Sequence, residues 1–151
     1  MPRPQKKRSV NRPPLRSDFK PTGIPSHDLE VVPLALDELE AIRLADYEGL
    51  DHAASAEQME ISRSTFSRLV ERARQKVARF LIEGQRLQVE GGEVHFQGNL
   101  IRCSDCGHSF HTSFDSKLTE CPECGSSNLM DLAGGHGHGR CCGLHHRRPR
   151  R

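Results

Sequence analysis

Apolar residues recur with a period near 3.6 between residues 62 and 84, a pattern that predicts one long amphipathic helix. The apolar stripe consists of Phe66, Leu69, Val70, Ala73, Val77 and Phe80. The opposite side carries Arg63, Ser64, Ser67, Arg68, Glu71, Arg72 and Gln75. Ser62 is the expected N-cap of this helix, and Gly84 marks its expected end.

Two shorter helices are predicted before the long one. The segment "LDELEAIRLADYEG" has apolar residues at helical spacing, with Asp37 as the expected cap, Glu40 completing a capping box and Gly49 ending the helix. Asp51 is expected to cap a second helix at roughly His52–Met59. The three helices together predict a compact helical domain.

The remaining segments divide the chain into four parts. Gly91 and Gly92 form the expected domain boundary, because the alternating segment "EVHFQGNLIRC" after them predicts strands. The two ends are rich in Pro, Gly, His and Arg, and we expect them to be disordered. The predicted parts are a basic arm at 1–18, a helical domain at 19–92 with a further short helix around His27–Val31, a cysteine-bearing β unit at 93–132, and a Gly/His/Cys/Arg tail at 133–151.

Charge is segregated along the chain, although the net charge is only +2. Residues 28–60 hold ten acids and only Arg43, whereas residues 62–79 hold six basic residues against Glu71. Basic runs beside an acidic block favour a polyanionic partner, with an ordinary solvated surface as the alternative. No stretch approaches 18 apolar residues and no secretory signal is evident, so we expect a cytoplasmic protein without a membrane partner.

A short helix, a tight break and a longer helix are typical of the helix-turn-helix, whose second helix enters the major groove of DNA. Arginine can donate two hydrogen bonds to guanine, and hydroxyl groups can bond bases or phosphates. The alternative is a helical hairpin with a solvated face of arginine and serine. The predicted DNA-binding residues are Arg63, Ser64, Thr65, Ser67, Arg68 and Arg72, with Arg74 and Lys76 as further candidates for phosphate contacts.

The segments "FKPTGIP", "DELEAIRLADYEGL" and "AEQMEISRSTFSRLVERARQKVARFLIEG" resemble a family of small prokaryotic proteins of unknown function. The helix-turn-helix of that family is similar to region 4 of sigma factors. The resemblance covers about residues 1–92 and implies DNA binding and a role in transcription. The expected fold class is therefore mainly α, with a winged helix-like or sigma region 4-like three-helix domain, a small β zinc ribbon and disordered basic termini.

The chain departs from the family pattern at three places. Relatives carry two cysteines at the positions of Lys7 and Asn11, so the resemblance gives this arm no metal or redox role. Relatives have glycine where this chain has Glu60, so the turn is either strained by about 1 kcal/mol or shaped differently. Some relatives continue into a domain similar to iron–molybdenum cofactor-binding proteins of nitrogenase assembly, whereas this chain continues into a cysteine-bearing unit.

Two Cys-x2-Cys pairs predict a structural zinc ribbon. Glycine follows each pair at Gly107 and Gly125, where a metal-binding turn needs a permissive backbone. In a cytosolic chain this spacing favours four thiolates around one Zn²⁺ over disulfides, and four protein ligands exclude a catalytic zinc. His108 and His111, which lie between the pairs, are expected on the surface. The predicted zinc ligands are Cys103, Cys106, Cys121 and Cys124.

The tail "GGHGHGRCCGLHHRRPRR" offers further metal ligands without a fixed spacing. The adjacent residues Cys141 and Cys142 are not expected to bind one ion with good geometry. Weak, exchangeable metal binding and simple attraction of the basic tail to phosphates both remain open. The candidate tail ligands are His136, His138, Cys141, Cys142, His145 and His146.

Two functions follow from these patterns. The first is a DNA-binding transcriptional regulator, expected to be a homodimer, that binds double-stranded DNA and carries a structural zinc. The alternative is a metal-handling or polymerase-associated adaptor, which would bind RNA polymerase or another protein through the ribbon and metal through the tail. An enzyme is not expected, because no phosphate-binding loop, open metal site or nucleophile–base pair occurs at usable spacing.

Overall fold

The computed structural model describes residues 7–139 and 141–142. These residues form two units, one made of 7–10 and 16–94 and the other of 11–15, 95–139 and 141–142. The described part contains four α-helices and eight strands. The expectation of a mainly α fold is wrong, because strands account for 21% of the residues beside 37% in helices, so the protein is a mixture of α and β structure.

Helices α2 and α3 of the first unit confirm the sequence prediction closely. Helix α2 spans His52–Met59, and the Asp51 carboxylate accepts a hydrogen bond of 2.7 Å from the backbone N–H of Ala54. Helix α3 spans Arg63–Glu83, begins after the cap Ser62 and ends at Gly84, which adopts a φ of 62°. Strong local caps and a regular apolar stripe fixed these boundaries.

Helix α1 spans Leu36–Ile42 and continues into a π-helical turn at Arg43–Tyr47. Its N-cap is Ala35, whose backbone N–H donates to the Glu38 carboxylate at 3.1 Å. The prediction of a capping box formed by Asp37 and Glu40 is therefore wrong, because the helix begins one residue before Asp37.

The helices of the first unit enclose one apolar core. Its buried members are Ala41, Leu44, Ala56, Met59, Phe66, Leu69 and Val70. Phe66 has no exposed surface and Leu69 is 1% exposed, so burial of each side chain contributes about 1.5–3 kcal/mol. Because the apolar stripe of α3 faces this core, the opposite, basic side of the helix faces solvent.

A three-stranded sheet accompanies the helices, in the order β2 (Asp18–Phe19), β4 (Arg86–Val89), β3 (Val31–Leu34). Strands β3 and β4 are parallel, with Val32 opposite Leu87. A parallel pair needs a long crossover, and α1, α2 and α3 together supply it. The short helix expected around residues 27–31 is instead a 3-10 turn at Ser26–Asp28 that leads into β3.

The arm that was expected to be disordered contains strand β1 at Arg8–Val10. The backbone N–H of Arg8 donates to the carbonyl of Glu93 at 2.8 Å. Strand β5, Val94–Phe96, follows Glu93 and runs from the first unit into the second.

The second unit is built on a three-stranded antiparallel sheet with β6 (Asn99–Cys103) in the centre. Strands β7 (Ser109–Thr112) and β8 (Leu129–Asp131) flank it. Helix α4, Leu132–Gly135, follows β8 directly, so the segment expected to be a disordered tail begins with ordered structure.

Candidate nucleic-acid interface and metal centre

Helices α2 and α3 are joined by a connection of three residues, Glu60, Ile61 and Ser62. Glu60 adopts the left-handed conformation, with φ 59° and ψ 40°, which glycine adopts at the least cost. Ile61 then packs against the helical core and donates its N–H to the Ala56 carbonyl at 3.0 Å. The connection is therefore tight, and a non-glycine residue in this conformation carries about 1 kcal/mol of strain.

Hydroxyl groups at the start of α3 are largely engaged within the protein. Ser62 Oγ accepts from the Thr65 N–H at 3.2 Å and lies 2.7 Å from Thr65 Oγ1. Ser67 Oγ donates to the Arg63 carbonyl at 3.0 Å and lies 2.8 Å from His52 Nδ1. Of the predicted DNA-binding hydroxyls, Thr65 thus belongs to the cap of α3 and Ser67 joins α3 to α2. Ser64 is exposed, with its Oγ 3.3 Å from Ser62 Oγ.

Arg63, Arg68 and Arg72 are exposed on α3. None of the ion pairs in the described part of the chain includes their guanidinium groups. With a rotation of about 100° per residue, Ser64, Arg68 and Arg72 follow one another along one side of the helix. Of the side chains that the sequence placed opposite the apolar stripe, all except the half-buried Ser67 are exposed to solvent.

Two further basic residues of α3 are neutralised by carboxylates. Arg74 forms two hydrogen bonds with Asp46, of 2.7 and 3.0 Å, and Lys76 Nζ lies 2.6 Å from Glu38. The hydrogen bonds from Arg74 lower the pKa of the Asp46 carboxyl below its ordinary value. Arg74 and Lys76 were candidates for phosphate contacts, but their charges are already paired.

The basic arm also contributes less free charge than the sequence suggested. Arg8 is 9% exposed and forms a 2.6 Å ion pair with Asp37. Asp37 therefore anchors the arm to the start of α1, where the sequence predicted a helix cap. Exposed basic residues of the first unit that form none of the ion pairs in the described part of the chain thus include Arg63, Arg68 and Arg72 on α3, beside Lys7, Arg16 and Lys20 earlier in the sequence.

The four predicted zinc ligands come together in the second unit. Each pair lies on a turn with the same hydrogen bonds: Gly107 N–H donates to the Cys103 carbonyl at 3.0 Å, and Gly125 N–H donates to the Cys121 carbonyl at 2.9 Å. Both glycines have positive φ, 77° and 73°, as the predicted metal-binding turns require. Asp105 bonds to Ser126 and so connects the first turn to the second.

Sulfur positions in this cluster fit a tetrahedral ion. The Sγ distances are 3.6 Å for Cys103–Cys124 and 3.6 Å for Cys106–Cys121, and all four sulfur atoms lie within 4.8 Å of one another. Ligands at a Zn–S distance of 2.3 Å in a tetrahedron lie about 3.8 Å apart. The backbone N–H of Cys106 lowers the pKa of Cys103 to about 7, which favours its thiolate form. The cluster can therefore hold a metal ion.

A second group of metal-ligating side chains involves the tail. His138, Cys141 and Cys142 approach one another and His95 of β5, whereas the ring of His136 lies beside Phe96. The two remaining candidates, His145 and His146, lie outside the described residues.

Three residues that matter here were not singled out from the sequence. Asp46 and His52 contact α3 residues from other helical segments, and neither lies in a recognisable motif. The alternating segment predicted a strand that contains His95. Its role as a metal ligand was missed because the other ligands, His138, Cys141 and Cys142, lie far from it in the sequence.

None of the helices in the described ranges is both long enough and apolar enough to span a membrane. No solved structure matches the chain at a significant level. A "UPF0251 protein" of Chloroherpeton thalassium is 51% identical over 132 residues, 87% of each chain. One of Moorella thermoacetica is 46% identical over 93% of each chain, and one of Rhodospirillum rubrum is 52% identical over 70% of this chain and 73% of its own.

The family profile "Protein of unknown function DUF134" matches residues 1–97, a range that contains α1, α2 and α3 and ends before the four-cysteine cluster. The match covers well over half of the chain. The similarity to the proteins of Chloroherpeton thalassium and Moorella thermoacetica covers more of the chain, 87% and 93%. This chain therefore belongs to the family DUF134, the UPF0251 proteins.

Proposed function

We propose that the protein is a sequence-specific DNA-binding regulator of transcription that inserts the first half of α3 into the major groove. One observation carries the proposal: Ser64, Arg68 and Arg72 line the solvent side of a helix that follows α2 after only three residues. The length and order of these elements match a helix-turn-helix, the motif of sigma factor region 4.

Internal hydrogen bonds support a binding role for the arginines. The Ser62–Thr65 and His52–Ser67 contacts hold the start of α3 in place without using the guanidinium groups. A rigid helix with free arginines at its N-terminal end is suited to bidentate contact with guanine. Arg63 and Arg68 are the proposed base contacts, and Arg72 is a proposed phosphate contact.

Zinc is the proposed ion of the four-cysteine cluster, because four thiolates in a tetrahedral arrangement favour Zn²⁺. The four sulfur ligands would close the coordination sphere, so this ion would stabilise the second unit and take part in no reaction. Metal binding would supply folding energy to a unit with few apolar side chains. Binding, rather than catalysis, is accordingly the proposed activity of the whole chain.

Selection from a random double-stranded DNA library by the zinc-loaded full-length protein tests this proposal. The parent is expected to enrich a motif, and Arg63→Ala/Arg68→Ala is expected to lose it, at about 1–3 kcal/mol for each base position concerned. Arg79→Ala is the matched control, because Arg79 lies about three turns after Arg68 on the same side and is paired with Glu83 at 3.5 Å. The control variant is expected to select the parental motif.

The adaptor function remains the second candidate, and the presence of two Cys/His groups favours it. The adaptor function predicts that the parent protein enriches no sequence motif from the library. It also predicts that Arg63→Ala/Arg68→Ala retains the same amount of DNA as the parent. That result would contradict sequence-specific binding by α3. The search would then turn to a protein that binds the second unit.

A further inference from the structure

We propose that His95, His138, Cys141 and Cys142 form a second zinc site, which fixes the C-terminal segment to strand β5. The ligand atoms of these four residues lie within 4.8 Å of one another. His95 and Cys142 are buried, at 8% and 0% exposure, so half of the ligand set lies in the interior. The site is distinct from the four-cysteine cluster and shares no residue with it.

Distances within the group fit a tetrahedral ion with two sulfur and two nitrogen ligands. Cys142 Sγ lies 3.3 Å from His138 Nδ1 and 3.7 Å from His95 Nδ1, and Cys141 Sγ lies 3.6 Å from His138 Nδ1. Zinc bonds of 2.3 Å to sulfur and about 2.05 Å to nitrogen place such ligands about 3.6 Å apart in a tetrahedron.

The Sγ atoms of the adjacent residues Cys141 and Cys142 are placed to bind the same ion. From the sequence alone, neighbouring cysteines were not expected to bind the same ion with good geometry. In the structure their Sγ atoms lie 3.9 Å apart. Two thiolates bound to one tetrahedral zinc have a sulfur–sulfur distance of about 3.8 Å. The pair therefore serves as two ligands of one site.

Strand β5 also contacts Cys142 through its backbone. The backbone N–H of Phe96 donates to Cys142 Sγ at 3.2 Å. A hydrogen bond of this kind stabilises the negative charge of a buried sulfur ligand and orients it toward the metal. The same strand thus supplies one ligand, His95, and one supporting hydrogen bond.

Ordered structure before the site places His138. The Asp131 carboxylate caps α4 by accepting from the Gly134 N–H at 3.0 Å, and it also accepts from Asn99 at 2.7 Å. The chain then turns at Gly137, which has a φ of 75°, and His138 donates its N–H to the Ala133 carbonyl at 2.9 Å. His138 is thereby held by the fold before any metal binds.

The chemistry of the donors favours zinc. Two thiolates and two imidazoles in a tetrahedron match a structural Zn²⁺ site, and four protein ligands leave no open position for a substrate. A bound ion would join residues 95 and 142 and so close a loop around the four-cysteine cluster. The site would hold the C-terminal segment in one place on the second unit.

Zinc content of the full-length protein, purified with Zn²⁺ and dialysed, tests the assignment. The parent is expected to retain two zinc ions per chain, and Cys141→Ser/Cys142→Ser is expected to retain one. His95→Asn is expected to lose the same ion, whereas His136→Asn is the matched control and is expected to keep both. A parent with one ion, or a His95→Asn variant with two, would overturn the proposed site.

X-ray absorption at the zinc edge provides a readout that identifies the ligands. Averaged over both sites, the parent is expected to show about three sulfur and one nitrogen ligand per zinc, and Cys141→Ser/Cys142→Ser about four sulfur ligands. Circular dichroism identifies any variant that fails to fold. The X-ray absorption spectrum of the parent tests the proposal without depending on any variant. A parent with sulfur ligands alone would contradict the proposal.

Discussion

His52 Nδ1 lies 2.8 Å from the hydroxyl oxygen of Ser67 and thereby joins α2 to α3. Ser67 donates its only hydroxyl proton to the Arg63 carbonyl at 3.0 Å, so His52 Nδ1–H is the donor in the contact between the helices. The His52 ring also packs edge-on against Phe66, at a centroid distance of 5.3 Å. Ser67, which the sequence predicts to bind DNA, thus also fixes the position of the helix.

Ser67→Ala is expected to lower the free energy of unfolding by about 1 kcal/mol, because it removes a hydrogen bond between the helices. Ser64→Ala is the matched control. The Ser64 side chain is exposed, with Ser62 Oγ at 3.3 Å, so its loss is expected to change stability by less than about 0.5 kcal/mol. Urea unfolding of both variants measures the difference. Equal stability of the two variants would show that the His52–Ser67 contact contributes little.

Glu60 offers a test of backbone strain at the turn between α2 and α3. Because its φ is 59°, Glu60→Gly is expected to raise the free energy of unfolding, by about 0.5 kcal/mol, and Glu60→Val to lower it by more than about 1 kcal/mol. Glu60→Gln keeps the backbone preference and controls for contacts of the carboxylate. Thermal unfolding ranks the four proteins. A glycine variant less stable than the glutamine variant would show that the turn stores no strain.

Local signals and distant contacts explain what the sequence could and could not predict. Helices α2 and α3 were predictable because Asp51 and Ser62 are strong caps beside regular apolar spacing. Strands β3 and β4 were missed because each has only four residues and the partner lies beyond three helices. The alternation of buried positions with half-buried or exposed ones along each strand follows from this pairing, which the local sequence does not specify.

The same distinction applies to the sites. The four-cysteine cluster was predictable because each Cys-x2-Cys pair and its glycine form a local turn. The pairing of Arg74 with Asp46 was not, since a charge pattern shows which residues are basic and not which of them meet a carboxylate. His95 was missed for a similar reason, because only the fold brings it to the tail.

Arg72 and Arg74 are expected to differ in DNA binding although they are near neighbours on α3. Arg72→Ala is expected to weaken binding evenly across sequences and to reduce the slope of log affinity against log salt by about 1. Arg74→Ala is expected to change this slope less, because Asp46 already neutralises Arg74. Fluorescence titrations of labelled DNA at several salt concentrations provide the comparison. A larger effect of Arg74→Ala would mean that the ion pair opens when DNA binds.

The Asp46–Arg74 pair also predicts a pH dependence of stability. Hydrogen bonds from Arg74 lower the pKa of Asp46 below its ordinary value of 3.8, so the pair stabilises the folded state above that pH. This contribution is lost as the pH falls through the lowered pKa of the folded protein. Both side chains are more than 40% exposed, so solvent screening limits the contribution to less than about 1 kcal/mol.

Asp46→Asn is therefore expected to be less stable than the parent at pH 6 and to show a smaller deficit at about pH 2, because the Asp46 carboxylate of the parent becomes increasingly protonated as the pH falls below its ordinary pKa. Glu57→Gln, an exposed change on α2, controls for the loss of one negative charge. Urea unfolding at both pH values measures the differences. A deficit of Asp46→Asn that persists unchanged at low pH would assign the effect to packing.

Zinc binding to the four-cysteine cluster is expected to release at least two protons per ion at pH 7. The backbone N–H of Ser126 lowers the pKa of Cys124, but burial and the neighbouring thiols raise it overall to about 12. The backbone N–H of His108 lowers the pKa of Cys106, but burial and the neighbouring thiols raise it overall. The thiols of Cys106 and Cys124 are therefore protonated before metal binds. Zinc must displace these protons, and its affinity is therefore expected to fall as the pH falls.

Calorimetric titration of metal-free protein with Zn²⁺, in buffers of different ionisation enthalpy, counts these protons. Cys141→Ser/Cys142→Ser restricts the measurement to the four-cysteine cluster, and Cys106→Ser is expected to weaken binding at that cluster. Affinity should rise steadily between about pH 5.5 and 7.5, because fewer protons compete for the thiolates as the pH increases. Affinity that is independent of pH over this range, with no proton release, would show that the thiols are already ionised in the metal-free protein.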